Sequence, residues 1–364
     1  MKLAWKELRY SKMKYLLIEL ILTLMIFMVI FLSGLANGLA RAVSAAIENA
    51  DAAYFVISED AQDMIPLSEV SEDTFAQVKT LTKDPVTTLD IQRMNLSVAG
   101  SEDKLDVTYF AIDPNGFLAP AVTDGEKLSA SSLGYSIVLD QSFREDGIAV
   151  GDVVEDSASG LQLTVVGFTK DQMYGHSPVG FITTDTYTAI LQELNPNYKV
   201  TYHALVLQGT DVSKLSLEGY QVVEKNTIVK SIPGYSAEQT TINMILWVLV
   251  VISAAILGVF FYVITIQKQK QFGVMKAIGM NMRELTGIIT SQVLILSLAG
   301  VLAGNLFAFG MASLLPDSMP FYIKVPVVMI ISAVFVAISL GTSLISTRNV
   351  AKVDPMVIIG GNEQ

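Results

Sequence analysis

Of the 364 residues, 51% are hydrophobic and only 16% charged, well short of the roughly 25% charged residues of a soluble globular domain, so part of the chain belongs in lipid. There is no cysteine, which excludes a disulfide framework and a thiolate metal site. The formal net charge of −11 disfavours nucleic acid as a partner, and its uneven distribution along the chain is more informative than its size.

Residues 1–15 place Met1, Trp5, Leu8 and Tyr15 at helical spacing, with Lys2, Lys6 and Arg9 on another face. This pattern predicts an interfacial helix lying on the inner leaflet. Four apolar stretches then follow, at 16–39, 242–266, 287–315 and 325–345, each near the roughly 20 helical residues that cross a hydrocarbon core. The first is too long for the apolar core of a signal peptide and lacks a clear cleavage site, so it reads as a retained span. It continues without Gly or Pro to Asn49, as a helix projecting outward over 16–49.

Within that helix Gly34 and Gly38 form a small-xxx-small pair that admits close backbone approach, and the same stripe continues through Arg41, Ala45 and Glu48. Two outcomes are open. Gly34, Gly38 and Ala45 line a homodimer interface, which brings two copies of Glu48 together above the outer leaflet, or they pack against another helix of the same subunit.

Residues 50–237 read as a mixed α/β extracytoplasmic domain inserted between the first two spans. Strands are expected at 53–58, 106–112, 161–168, 202–207 and 220–223, and helices at 71–81 and 185–194. The remaining segments are a second span (238–266), a basic loop (267–285), a third span (286–315), an outer loop (316–324), a fourth span (325–347) and a tail (348–364). Lys2, Lys6, Arg9, Lys12 and Lys14 precede span one, Lys268, Lys270, Lys276 and Arg283 join spans two and three, and Arg348 and Lys352 follow span four. These flanks are therefore cytoplasmic. The insert, with about 29 acidic against about 12 basic residues, lies outside.

No G-x-x-x-x-G-K-[ST] loop is present, so the chain does not hydrolyse ATP by the P-loop route and takes its energy from a partner. H-E-x-x-H and G-x-S-x-G motifs are also absent, and His176 and His203 are too few for a multi-histidine metal site. The chain reads as a permease and not as an enzyme. Two segments carry chemistry. In the loop QKQKQFGVMKAIGMNMREL a short amphipathic helix over 272–278 stops at Gly279, in the manner of a helix C-cap. On the outer domain DQMYGHSPVGF gathers Met173, Tyr174 and His176, all of types able to ligate haem iron. Taken alone, such a loop is more often packing than a cofactor site.

The pattern QFGVMKAIGM after the second of four spans, with VGDVV, LQLTVVGF and VDPMVIIGG, resembles the permeases of type VII ABC transporters, the MacB and FtsX group. That resemblance implies a coupling helix seated on a separate ABC ATPase, contacted through Phe272, Gly273, Met275, Lys276, Ala277 and Gly279. It also implies an assembly of two permeases with two ATPases. Within the group, KLAWKE, SGLANGLARA, DQMYGHS, IPGYSAEQTTINMIL and DPMVIIGG are similar to haem-exporting permeases of Gram-positive bacteria. The implied cargo is haem drawn from membrane lipid, with no permanent cofactor. Glu48 or Tyr174 is then the expected oxygen ligand to iron, with Met173 and His176 at the rim and Arg41 paired with a propionate or with Glu48. The competing readings are a MacB-like exporter of peptides or lipoproteins and an FtsX-like signal transducer acting on a cell-wall hydrolase.

Overall fold

The computed structural model describes residues 10, 12–98, 104–129, 134–209, 215–316 and 319–351. Most of the interfacial helix expected over 1–15, and the tail motif VDPMVIIGG, lie outside the described residues. In chain order the helices are α1 (Lys12–Asn49), α2 (Glu72–Leu81), α3 (Thr184–Leu194), α4 (Lys225–Ser231), α5 (Tyr235–Gln267), α6 (Gln269–Ala277), α7 (Met282–Ala312) and α8 (Val325–Ala351). The strands are β1 (Tyr54–Ser58), β2 (Val70–Ser71), β3 (Val86–Val98), β4 (Lys104–Ile112), β5 (Val122–Gly125), β6 (Ser136–Asp140) and β7 (Val153–Asp156). They continue with β8 (Gln162–Thr169), β9 (Met173–Tyr174), β10 (Ser177–Thr183), β11 (Thr201–Tyr202), β12 (Ala204–Leu207) and β13 (Tyr220–Glu224). The chain forms two units, residues 39–240 and residues 1–38 with 241–364.

The second of these units holds the apolar helices. α1, α5, α7 and α8 are each long and apolar enough to cross a membrane. Without a hydrophobic driving force between helices in lipid, close approach has to come from small residues. Gly300 and Gly304 of α7 supply it to α1: a Cβ on Gly304 would stand 2.8 Å from Ile26 Cγ2, and one on Gly300 would stand 3.1 Å from Leu22 Cβ. Gly34 and Gly38 are also buried within this chain. A Cβ on Gly34 would stand 2.5 Å from the Phe321 ring, and one on Gly38 would stand 2.1 Å from the Pro320 carbonyl oxygen. Of the two outcomes left open for the glycine pair, packing within the same chain is the one observed, with the segment before α8 in place of a helix as its partner. Ala45, 1% exposed, is likewise enclosed within one chain. On α8 Ser339 and Ser343 are fully buried, and the Ser339 hydroxyl returns its proton to the Phe335 carbonyl at 2.8 Å.

Buried Lys268 separates α5 from α6, donating to Gln292 Oε1 at 2.8 Å and standing 5.4 Å from the centre of the Tyr15 ring. At the other end of α6 the Gly279 and Met280 N–H groups donate to the Lys276 and Met275 carbonyls, with Gly279 at φ +99°. This is a Schellman closure. Asn281 then caps α7, its side chain accepting from the Arg283 and Glu284 N–H groups, while Glu284 Oε2 accepts from the Asn281 N–H at 3.1 Å. That reciprocal pair is a capping box.

The outer unit is built on a sheet ordered β13-β1-β12-β3-β4-β10-β6-β8-β5, antiparallel except where β10 meets β4 and β6 meets β8. Alternation along the strands sends Phe55, Ile57, Ile91, Phe110 and Val206 to one face, under Val43, Ala46 and Ile47 of α1 and Ile228 and Val229 of α4. The other face is covered by Tyr187 and Ile190 of α3 and by Val78 of α2. The expected strands and helices are all present within a residue or two, except that 202–207 is split at His203. The His203 N–H donates to Asp90 Oδ1 at 2.8 Å, and its Nδ1 accepts from the Ile91 N–H at 3.0 Å. A side chain there stands in for one rung of the β12–β3 ladder.

Because Nδ1 is an acceptor, His203 is neutral, and burial lowers its pKa to about 4. Burial raises that of Asp90, whose Oδ2 has no partner, to about 7. The two shifts act in opposite senses on stability. Asp90 stabilises at low pH and loses that contribution as pH rises towards about 7, whereas His203 costs stability at low pH and ceases to do so above about 6.5. The native chain should therefore be nearly level in stability from pH 4 to 6.5. Asp90→Asn should climb by about 1 kcal/mol per pH unit over that range in circular-dichroism melts of the detergent-solubilised chain.

A second expectation concerns the glycine contact. Gly38→Ala should lower stability by about 1–3 kcal/mol, read as an earlier thermal transition in detergent. Gly310→Ala, whose Cβ meets nothing within 4 Å, should leave it unchanged or raise it slightly.

Candidate functional site

The last two turns of α1 are fixed by their buried side. With Val43 and Ile47 at 0% exposure in the outer core, Arg41, Ser44 and Glu48 are set at i, i+3 and i+7 along the helix. The end of the helix is closed from a distant part of the chain. Lys225 Nζ donates to the Ala50 carbonyl at 2.9 Å and the Glu48 carbonyl at 3.2 Å, placing a cation where the helix leaves its carbonyls unsatisfied.

Glu48 is held on both oxygens. Ser44 Oγ donates to its Oε1 at 2.8 Å, and Arg41 Nη1 lies 3.8 Å from its Oε2. The other arm of the Arg41 guanidinium is 3.9 Å from Asp171 Oδ2 and 3.3 Å from Asn49 Oδ1. Asn49 Nδ2 in turn donates to the Asp171 carbonyl at 2.8 Å. Tyr235, at the start of α5, lies beside Ser44 and Glu48.

Asp171 opens the second part of the site, the β9–β10 hairpin. Its turn residues Gly175 and His176 both have positive φ, +55° and +63°, and Asp171 has φ +56°. A two-residue turn of that conformation matches the twist of its strands, and glycine tolerates it without cost. His176 does not, and a non-glycine residue held there marks local strain. The turn is docked on α1 by its backbone: the Gly175 and His176 N–H groups donate to the Val43 and Ala42 carbonyls, each at 2.9 Å. The imidazole Nε2 lies 2.9 Å from Glu238 Oε1 in the first turn of α5, and the second oxygen of Glu238 is buried without a partner.

The structure thus brings Arg41, Glu48 and His176 into one neighbourhood, with two acid–base pairs beside the hairpin turn. Met173 is half-buried on β9. Tyr174 departs from expectation. It is 8% exposed and packs edge-on to Phe110 at 5.6 Å within the core, and burial raises its phenol pKa well above the ordinary value. A phenol so placed resists becoming the tyrosinate that iron ligation needs.

Ser44, Asp171, Tyr235 and Glu238 were not anticipated. The spacing of Ser44 between Arg41 and Glu48 was a usable signal. The pairing of His176 with a residue 62 positions away was not.

In the loop between α5 and α7 Gly273 is buried, and Met275 is half-buried against the core of the spanning helices. Lys276 is half-buried, and the exposed apolar residues are Val274 and Ile278. The side chains of Phe272 and Ala277 lie outside the described residues. Arg41→Met should loosen the hairpin by removing its charge link through Asp171. Hydrogen exchange of a peptide spanning 171–178 should accelerate severalfold, as expected for a partly exposed pair contributing up to about 1 kcal/mol, while β4 stays protected.

Comparison with known proteins supplies the context. The MacB-like periplasmic core domain matches residues 16–241, and the FtsX-like permease C-terminal domain matches residues 243–355. A protein of Staphylococcus haemolyticus named as hemin transport system permease protein HrtB is 27% identical over 363 residues, covering 100% of both chains. The protein of the same name from Staphylococcus epidermidis is 30% identical over 366 residues, again covering 100% of both. Among solved structures, the extracellular domain of the ABC-type transporter YknZ from Gram-positive bacteria aligns with 47% of this chain and 98% of its own. Its TM-score is 0.34, at 14% identity.

Proposed function

Since this chain belongs to the MacB- and FtsX-like ABC transporter permeases, we propose that it exports haem from the cell membrane, driven by a separate ABC ATPase. The observation that carries the reading is the end-to-end similarity to permeases named for hemin transport. It is supported by a carboxylate, a guanidinium and an imidazole gathered around the outer end of α1. The organisms of these relatives favour a Gram-positive cell membrane, with the α/β domain outside.

Haem is flat and mostly apolar, so it dissolves in lipid and reaches a permease sideways, without a water-filled channel. Glu48 is the proposed iron ligand. An oxygen donor holds ferric iron firmly enough for capture and loosely enough for release. To reach iron, Glu48 exchanges its bonds to Ser44 and Arg41 for the metal, and the released Arg41 guanidinium turns to a haem propionate, which it matches in charge and in planar geometry. His176 and Met173 border the ligand.

In this proposal two permeases act with two ATPases. Gly34, Gly38 and Ala45 are enclosed within one chain, and in this reading the seam between the permeases lies elsewhere. ATP-driven closure of the partner loads α6 and the exposed Val274 and Ile278, and the site empties outward.

Titration of the purified chain with hemin, followed by absorbance, tests the proposal. A saturable spectral shift is expected in the native chain and in Tyr174→Phe, with loss of the shift in Glu48→Ala and a weakened shift in Glu48→Gln. A native chain with no saturable shift would overturn the haem reading in favour of a peptide or lipoprotein substrate.

A further inference from the structure

One face of α7 is polar where a membrane helix should be apolar. Arg283, Thr286, Gly287, Thr290 and Ser291 lie along it and, with Leu294, line an open groove of about 830 Å³ whose other wall is Leu344, Ile345 and Thr347 of α8. A groove of this size falls within the range that holds a bound small molecule. From Arg283 to Leu294 it runs 11 residues, or about 16 Å of helix, close to half of the roughly 30 Å hydrocarbon thickness. It therefore spans one leaflet. The basic residues around it assign this end to the cytoplasmic side.

We infer that this groove binds one anionic phospholipid of the inner leaflet, with the headgroup phosphate on Arg283 and an acyl chain lying between α7 and α8. Three observations select that occupant. Among the described residues no carboxylate forms an ion pair with Arg283. The adjacent Glu284 carboxylate is engaged by the Asn281 N–H. Among the described residues the guanidinium thus stands at the groove mouth without a carboxylate partner, and its planar fork fits a phosphate.

The hydroxyls further in differ from one another. Ser291 and Thr347 return their protons to the Gly287 and Ser343 carbonyls at 2.7 and 2.9 Å, but Thr290 Oγ1 is buried without a partner. It is a donor in want of an acceptor, and rotation of the side chain out of the groove wall would bring it to a glycerol-ester oxygen. Leu294, Leu344 and Ile345 then provide apolar walls for the chain. A cation at the interface, a hydroxyl below it and aliphatic side chains beneath reproduce the order of charge, ester and hydrocarbon in a lipid.

Native mass spectrometry of the full chain in mild detergent, with dioleoylphosphatidylglycerol and dioleoylphosphatidylcholine as probes, tests this inference without any use of haem. One phosphatidylglycerol should be held at least about tenfold more tightly than phosphatidylcholine. Arg283→Gln should abolish the preference, and Arg283→Lys should retain part of it. Thr290→Leu, which fills the groove and leaves the charge in place, should reduce binding of both lipids. Equal binding of the two, unchanged in Arg283→Gln, would mean that bulk lipid merely wets the groove and would overturn the inference. Efficient disulfide cross-linking between copies carrying Ser291→Cys would also overturn it, by making a second copy the occupant.

Discussion

The interaction on which the outer unit depends is the burial of Val43, Ala46 and Ile47 against its β-sheet. Full burial of Val43 and of Ile47 is worth about 1.5–3 kcal/mol each, and it also removes the rotational freedom of the helix end. Once those three side chains face the sheet, Arg41, Ser44 and Glu48 have no choice of direction, and the Ala42 and Val43 carbonyls are presented to the hairpin turn. The site is therefore a by-product of core packing. Its polar residues are neighbours because their apolar neighbours are buried, and the ion pairs, spaced at 3.8 and 3.9 Å, refine an arrangement that they do not create.

Much of the architecture was legible because its physics is local. A membrane span must satisfy its own backbone and present apolar side chains, so four long apolar runs give four helices. Alternating strands such as 161–168 and capped helices such as 71–81 were also readable, the latter with Ser71 accepting from the Thr74 N–H at its start. The strands that escaped reading fail the alternation test. The β6 strand, SIVLD, is buried along its whole length, and β3 interrupts its apolar residues with Asp90, Arg93 and Asn95. The break at His203 was illegible in principle, because it depends on Asp90 more than 100 positions earlier.

The site divides along the same line. The stripe Arg41 to Glu48 follows from helix periodicity, and the hairpin was flagged by its composition. Whether Tyr174 faces outward or into the core depends on Phe110, a contact between strands distant in sequence that no local pattern reports. The glycine pair in α1 shows a similar limit. A small-xxx-small motif announces close approach but not its partner, and here the partner is Pro320 and Phe321 of the same chain.

The corner between α6 and α7 is closed twice within a few residues, by the Schellman bonds around Gly279 and by the reciprocal Asn281–Glu284 cap. Met280 alone lies between the two closures, so the joint has almost no free torsion in which to dissipate motion. Its mechanical compliance is low. A displacement imposed on α6 would reach α7 through a stiff elbow, while the opposite end of α6 is tied to α7 through the long side chain of Lys268.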